Sequence, residues 1–328
     1  MEQDYKYMVS TKCFTYNHEA TIEDTLQGFA MQNVCCPVVY VVVDDASVDG
    51  TPNIIRKWAE NNLDFPKLES DRWEKTSYGD LLVASLKNNK DLLFVFLLLY
   101  ENHKQAKKQK YPYIENWLNG AKYQAICEGD DYWIDSRKLQ KQINFLEEND
   151  DYSMCYHNAI RWDIQKKQLT LFSPQLEDED LSIDDAINHW YVPTASIFFR
   201  STYSRYPNQL KRIYSGDYSL ILRCAHGGKI RFFKEFMSVY RYNNVGGSSS
   251  AIMKKKGAFV KSEQIKLLES YNEWTDYKYN QIIVGKINSL KQEQNFYSIK
   301  SKYPIFCVFT VVFYKKIIAH IKNAFNYL

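Results

Sequence analysis

The run Val38 to Val43 is apolar at every position and passes directly into two carboxylates, Asp44-Asp45, within VVVDDASVDGTP. A strand with no polar face must be covered on both sides, the situation of a parallel sheet sandwiched between helices. A second apolar segment, Tyr123 to Cys127, ends the same way, in Glu128-Gly129-Asp130-Asp131. Two buried parallel strands that carry acids at their C-terminal ends deliver them to one crevice, the usual ligand position in open α/β sheets. Carboxylates gathered there suit a nucleotide and a divalent metal.

The neighbouring segments fit that arrangement. Lys6 to Phe14 reads as a first strand, and Thr21 opens a helix whose apolar positions Ile22, Leu26 and Phe29 fall at i, i+4 and i+7. Strand, helix and strand in this spacing form a βαβ unit. Asp49-Gly50-Thr51-Pro52 predicts a turn and a helix start, with Thr51 as N-cap and Pro52 at the first helical position. Residues 61–90 read as polar and irregular. Leu92 to Tyr100 is apolar throughout but far short of a membrane span, so it reads as a buried central strand. A basic stretch, His103 to Lys110, leads to the Tyr123 strand, and Ser136 caps a helix with Leu139, Ile143 and Leu146 on one face. Arg137 and Lys138 read as ordinary helix surface.

The second half predicts a strand near Ser153 to Ile160, a short helix near Ile183 to Trp190, a strand from Thr194 to Arg200 and a helix from Gly216-Asp217. Two strands within Lys229 to Tyr242 and a loop at Gly246 to Ser250 follow. The chain becomes helical and charged beyond about residue 255.

Composition narrows the function. With 328 residues and 45% hydrophobic content the chain buries one large core plus an accessory segment. Its 42 basic and 39 acidic residues nearly cancel, which excludes the strong basic field of a nucleic-acid binder. The seven cysteines are odd in number and scattered, and Cys35-Cys36 lacks zinc spacing, so they read as reduced thiols of a cytoplasmic protein. MEQDYKYM is polar and acidic, predicting no signal peptide. The 26 tyrosines fit a sugar-handling cleft and fit equally a compositionally biased genome. His157, His189 and His226 lack metal-ligand spacing and read as structural.

Four ordered blocks, CFTYNHEATIEDTLQGFAMQ, VVVDDASVDGT, CEGDDYWIDSRKLQKQINFLEEN and SGDYSLILRCAHGGKIRFFKEFMSVYRYN, carry a resemblance to the inverting family 2 glycosyltransferases of the GT-A fold, and within them to the bacterial capsule and O-antigen type. It extends from about Tyr7 to Ser250. The resemblance implies an α/β GT-A domain over residues 1–255, with a Rossmann-like, mostly parallel central sheet flanked by helices. Residues 1–135 would form its nucleotide-binding half and 136–255 its acceptor-binding half. Residues 256–328 would form a helical C-terminal extension.

By position, the resemblance makes Phe14, Tyr16, Asp44, Asp45 and Asp130 nucleotide-binding residues; Asn102 is a further nucleotide-binding candidate by its place just after the third strand, with a solvated loop as the alternative reading. Tyr16 stacks on the base and Asp45 accepts its ring N–H, because an acceptor-only carboxylate complements an imide and a ring face suits a flat base. Glu128, Asp130, Asp131 and Asn243 take the metal positions for Mn²⁺ or Mg²⁺, an ion that bridges diphosphate and carboxylate. Glu128 stands where many relatives carry Asp, and Asn243 where His is common in the YRxH element. An isolated EGDD would equally serve as a solvated acidic turn. Asp217 takes the place of the catalytic base that deprotonates the acceptor hydroxyl.

The implied partners are a nucleoside diphosphate sugar, most often a UDP-sugar, and a saccharide acceptor that is lipid-linked in surface polysaccharide synthesis. Tyr303 to Tyr314 is apolar, flanked by Lys300, Lys302, Lys315 and Lys316, and too short to span a bilayer. It suits an interfacial helix at the inner face of the plasma membrane, and equally a helix packed on the catalytic domain or at a homodimer interface. A non-catalytic GT-A-like nucleotide-binding or scaffolding module is the rival reading. A nucleotidyltransferase is disfavoured, because FTYNHEAT lacks a Gly-rich, basic phosphate loop.

Overall fold

The computed structural model describes residues 4–65, 72–189, 192–213, 215–242 and 248–302. In chain order its elements are β1 (Tyr7–Thr15), α1 (Ile22–Ala30), β2 (Val38–Asp44), α2 (Thr51–Asn62), β3 (Glu74–Lys75), β4 (Gly79–Leu86), β5 (Asn89–Leu99), α3 (Glu115–Asn119), β6 (Ala121–Ile126) and β7 (Tyr132–Trp133). They continue with α4 (Lys138–Glu148), β8 (Tyr152–Asp163), β9 (Gln168–Leu171), β10 (Glu179–Asp180), α5 (Ile183–Asn188), β11 (Phe198–Arg200), α6 (Gly216–Gly227), β12 (Lys229–Tyr242), α7 (Ser248–Trp274) and α8 (Asn280–Lys302).

The described strands make one sheet in the order β10-β12-β8-β11-β6-β1-β2-β5-β4-β3, with β7 added to β12 and β9 to β8. Its centre, β6-β1-β2-β5, is parallel throughout. β4 and β11 enter antiparallel on either side, and β8 and β12 run parallel to each other. The register pairs Asp44 with Thr15 and Cys13 with Val42, so the acidic end of β2 lies level with the end of β1.

Alternation within the valine run explains why both faces are covered. Val38, Tyr40 and Val42 pack with Ile22, Leu26 and Phe29 of α1, Ile55 and Trp58 of α2, and Leu139 and Ile143 of α4. Val39, Val41 and Val43 face the opposite layer with Val95, Leu97, Ile114 and Leu118. All six strand residues are fully buried, and each such side chain contributes roughly 1.5–3 kcal/mol of transfer free energy. Phe29 stacks on Tyr40 with ring centroids 4.9 Å apart, which anchors α1 over β2. Gly28 lets α1 approach β7, since a Cβ there would lie 2.9 Å from the Trp133 backbone.

Several local expectations change. The stretch 61–90 contains β4, whose Asp80, Leu82 and Ala84 turn inward against β5. Lys229 to Tyr242 is one strand, not two, and register shifts around Phe236 interrupt its pairing with β8. Thr194 to Ser196 is a 3₁₀ turn, which leaves only Phe198–Arg200 as strand. Thr51 is the first helical residue rather than a cap, and the Asp49 carboxylate accepts its N–H at 3.0 Å. Asp135 replaces Ser136 in the same role, accepting from the Arg137 N–H at 2.8 Å. Ser248 to Ser250 belong to α7 rather than to a loop, while Asn243, Gly246, Gly247 and Tyr303 to Tyr314 lie outside the described residues.

The chain divides into two compact units, Met1–Tyr206 with Asp217–Ser248, and Pro207–Gly216 with Ser249–Leu328. The first holds the sheet. In the second, α7 breaks its helical geometry at Lys256, and Leu267, Leu268, Tyr271, Ile283 and Leu290 are buried. Gly257 admits the Tyr297 ring, which a Cβ would meet at 2.6 Å. No helix among the described residues is long and apolar enough to cross a membrane.

Candidate functional site

The C-terminal ends of β1, β2 and β6 meet at one edge of the sheet, and the loops that follow them are sewn together. The Asn17 and His18 N–H groups donate to Ser47 Oγ and Thr51 Oγ1, both at 2.8 Å. In return, the Val48 N–H donates to Asn17 Oδ1 at 3.0 Å and the Gly50 N–H to Glu19 Oε2 at 2.7 Å. Asn17 and Ala46 both sit at φ 56°. Asn tolerates that conformation, whereas Ala is strained in it by roughly 1–2 kcal/mol, so the bend just after Asp45 is held by its surroundings.

Asp44 is buried and turns back on its own loop, accepting from the Ser47 N–H at 3.0 Å and from the Ser47 hydroxyl. Burial pushes its carboxyl up, and the Ser47 bonds oppose the shift. It supports the turn. Asp45, also buried, accepts from the His103 N–H at 2.8 Å, the Lys104 N–H at 3.3 Å and the Lys110 ammonium at 2.8 Å. Phe14 packs on the layer around Val43, with the Lys110 ammonium 4.7 Å from its ring centre. Tyr16, in the bend after β1, is partly exposed and makes no hydrogen bond or ring contact among the described residues. Asn102 spends its side-chain oxygen on the Gln105 N–H at 2.8 Å, closing a local turn.

The acidic loop after β6 is clamped by α1. Thr21 Oγ1 donates to Gly129 O at 2.9 Å, and Thr25 Oγ1 to Asp131 O at 2.7 Å. Gly129 itself lies against β1, where a Cβ would fall 2.5 Å from Thr15 Oγ1 and 3.0 Å from His18 Nδ1. His18, lowered in pKa chiefly by burial, faces Asp130 with Nε2 3.9 Å from Oδ2. Asp131 accepts from the Arg241 N–H at 2.9 Å. The Arg241 guanidinium donates to Asp130 O at 3.0 Å, pairs with Asp24 and lies 4.2 Å over the Tyr132 ring. β12 thereby fixes the loop from the far side.

The electrostatics are those of acids held together out of water. Burial, then the Asp130 charge, pushes Asp131 well up. Burial pushes Glu128 up to about 7, with Lys12 opposing and Asp130 adding. Asp217, in the first turn of α6, is raised by burial although it accepts from the Tyr218 N–H at 2.9 Å and the Thr194 hydroxyl at 3.3 Å. Lys12 draws down both Glu128 and Asp217, which puts the candidate base and the acidic loop in one field. These carboxylates are hard oxygen donors suited to Mg²⁺ or Mn²⁺. No three His, Cys, Asp or Glu side chains converge on a metal position among the described residues. An ion would therefore be held by one or two of Glu128, Asp130 and Asp131, with substrate phosphate and water completing its shell.

The structure thus groups Phe14, Tyr16, Asp44, Asp45, Glu128, Asp130 and Asp131 along one sheet edge. Sequence reasoning passed over Lys12, Thr25 and Lys110. The basic stretch ending at Lys110 was legible as charge only, and nothing local pairs it with Asp45. Lys138, read as surface, is fully buried, with its ammonium 4.0 Å from the Trp133 ring centre and 2.7 Å from Gln142 Oε1.

No family model matches the chain. Uncharacterised proteins of Mycobacterium tuberculosis and Mycobacterium bovis are 31% identical to it over 239 residues, 71% of this chain. The chain spans 58% of the length of these curated relatives. Among solved structures, S. aureus TarS 1-349 in complex with UDP-GlcNAc matches with a TM-score of 0.53 at 14% identity, covering 85% of this chain and 71% of that one. Mannosyltransferase PcManGT from Pyrobaculum calidifontis, in complex with GDP-Man and Mn²⁺, matches with a TM-score of 0.52 at 13% identity, covering 95% and 81%. The fold is accordingly the glycosyltransferase α/β fold of the GT-A kind, with C-terminal helices.

Proposed function

We propose that this chain is a metal-dependent, inverting glycosyltransferase of the family 2, capsule and O-antigen kind. It transfers a sugar from a nucleoside diphosphate donor, a uridine one in our reading, to a hydroxyl of a lipid-linked saccharide acceptor. The observation that carries this reading is the convergence of three parallel strand ends, which delivers Asp45 for a base and Glu128, Asp130 and Asp131 for a diphosphate-bound cation to one edge. TarS holds UDP-GlcNAc and the mannosyltransferase holds GDP-Man with Mn²⁺, which supports a nucleotide sugar and a divalent ion here.

In this mechanism Tyr16 stacks on the base and Asp45 accepts its ring N–H. Asp130 and Asp131, with Glu128 beside them, would hold Mn²⁺ or Mg²⁺, which would supply charge neutralisation for a diphosphate leaving group. Asp217 takes the proton from the acceptor hydroxyl as that oxygen attacks the anomeric carbon opposite the leaving group. By the resemblance, Asn243 would be a further oxygen donor to that cation. The apolar segment from Tyr303 places the protein at the inner membrane face, beside a lipid-linked acceptor.

Calorimetry tests the central claim. Nucleoside diphosphate should bind with Mn²⁺ present, and both EDTA and Asp131→Ala should abolish the binding. Binding indifferent to both would remove the cation from the mechanism. If binding persists but no acceptor in a panel of lipid-linked saccharides is glycosylated, the non-catalytic module becomes the better reading.

A further inference from the structure

A general base must present its carboxylate to the attacking hydroxyl in one orientation, and an aspartate turns about two side-chain bonds. Asp217 lies in the first turn of α6, and its Oδ1 accepts from the N–H of the next residue, Tyr218, at 2.9 Å, a bond its own helix supplies. Its Oδ2 accepts from the Thr194 hydroxyl at 3.3 Å, the hydrogen bond that reaches this carboxylate from outside its helix among the described residues. A carboxylate offers about four acceptor positions, so about two stay open toward an acceptor hydroxyl.

Thr194 is half-buried and opens the 3₁₀ turn Thr194–Ser196. That turn is fastened to the segment following the acidic loop. The Trp133 indole N–H donates to Ala195 O at 2.8 Å, and the Gln142 amide donates to Ser196 O at 3.0 Å. Ser196 closes the turn on Pro193 O through its N–H at 2.9 Å and its hydroxyl at 2.6 Å. Trp133 and Gln142 are themselves buried, and the Phe29 ring meets Trp133 edge-on at 4.9 Å between centres. Trp133 stands two residues after Asp131, so the acidic loop and the turn that touches Asp217 share one support. The start of α6 is tied down separately, by the Tyr218 hydroxyl donating to Ile187 O at 2.8 Å. Between these two fixed parts the Asp217 side chain is left to turn, and Thr194 spans that gap.

We propose that Thr194 is a positioning residue for Asp217: its hydroxyl, carried on a turn fixed to β7 and α4, holds the carboxylate in the orientation that takes the acceptor's proton. The inference rests on the reading of Asp217 as the base. Thr194→Val keeps the β-branched shape and removes the donor, whereas Thr194→Ser keeps the donor. Burial raises the Asp217 pKa, and the Tyr218 and Thr194 bonds and the charge of Lys12 on β1 oppose it, so losing the Thr194 bond moves the pKa further up.

Two measurements on the full chain test this. The first is Mn²⁺-dependent release of nucleoside diphosphate from UDP-GlcNAc and GDP-Man, with water as acceptor, read across pH beside calorimetry of the released nucleotide. Thr194→Val should lower turnover about tenfold with nucleotide affinity unchanged, and should move the acid limb up by about half a pH unit; Thr194→Ser should restore both. The second is NMR of carboxyl-labelled aspartate, with the Asp217 signal assigned by Asp217→Asn, which reads the same displacement without turnover and decides alone if neither sugar nucleotide is cleaved. An Asp217 titration unmoved by Thr194→Val, or a loss of turnover that Thr194→Ser leaves unrepaired, overturns the assignment of Thr194. Should Thr194→Val fail to fold, Thr194→Ala takes its place in both measurements. Wild-type turnover in Asp217→Asn would instead overturn the reading of Asp217 as the base.

Discussion

Asp217 and Gly129 show how single residues in this site are constrained by opposite means. To serve as the proposed base Asp217 must be ionised, yet burial raises its pKa above the usual 3.8. Because the base works only when deprotonated, turnover should fall as pH drops through that raised value, giving an acid limb displaced upward from an ordinary aspartate. Asp217→Asn should keep donor affinity and lower turnover about a hundredfold, the scale of a lost general base; a matching loss of donor affinity would make Asp217 a binding residue. Gly129 is constrained by space. A Cβ 2.5 Å from Thr15 Oγ1 forces the acidic loop away from β1, so Gly129→Ala should cost about 1–3 kcal/mol in urea unfolding and weaken nucleotide binding with it. Tyr16, by contrast, takes its stacking role from the resemblance alone, and its ring makes no contact among the described residues that would oppose it.

At the level of elements, α1 and α4 carry more than the apolar face that identified them. Thr21 and Thr25 turn α1 into a clamp on carbonyls at Gly129 and Asp131, 104 to 108 residues away in sequence. The same helix period marks α4, but its Lys138 turns into the core instead of outward. Its ammonium is held at a pKa of about 7, against 10.5 normally, by burial. The unfolded chain keeps this proton to about pH 10 while the folded chain loses it near pH 7, so unfolding in that window takes up a proton and stability rises with pH. Urea unfolding at pH 7 and pH 9 should show wild type gaining about 2 kcal/mol more than Lys138→Met. Parallel curves for the two proteins would mean that the buried amine carries no such linkage.

For the whole molecule, the division into two units has a consequence for truncation. Pro207–Gly216, in the middle of the chain, belongs with Ser249–Leu328. Leu210 is buried, and the Lys211 N–H donates to Ser270 Oγ at 3.0 Å. Removing residues 249–328 should therefore strand this segment, seen as dye binding to exposed apolar surface and as loss of soluble protein. Replacing 207–216 with a Gly-Ser linker in the truncated chain should recover solubility. If the simple truncation is as soluble and as cooperative in melting as the full chain, the segment does not depend on the helices.

The order of strands and helices, and the acids at the ends of β2 and β6, were legible in the sequence because they are local. An unbroken apolar run of β-branched residues has few stable fates other than a doubly covered strand, and a carboxylate after it must emerge at the strand's end. The boundaries read less well where pairing supplied the signal: β4 is a strand because β5 offers it an edge, and β12 is continuous because β8 runs beside it. What the tertiary structure alone decided is partnership. Asp45 meets Lys110 across 65 residues and Asp131 meets Arg241 across 110, while Lys138 faces inward because the Trp133 ring and Gln142 receive its ammonium there. Residue type and spacing encode which way a backbone runs and which face is apolar. Which charge meets which is set by how the loops at the sheet edge pack, a property no local window contains.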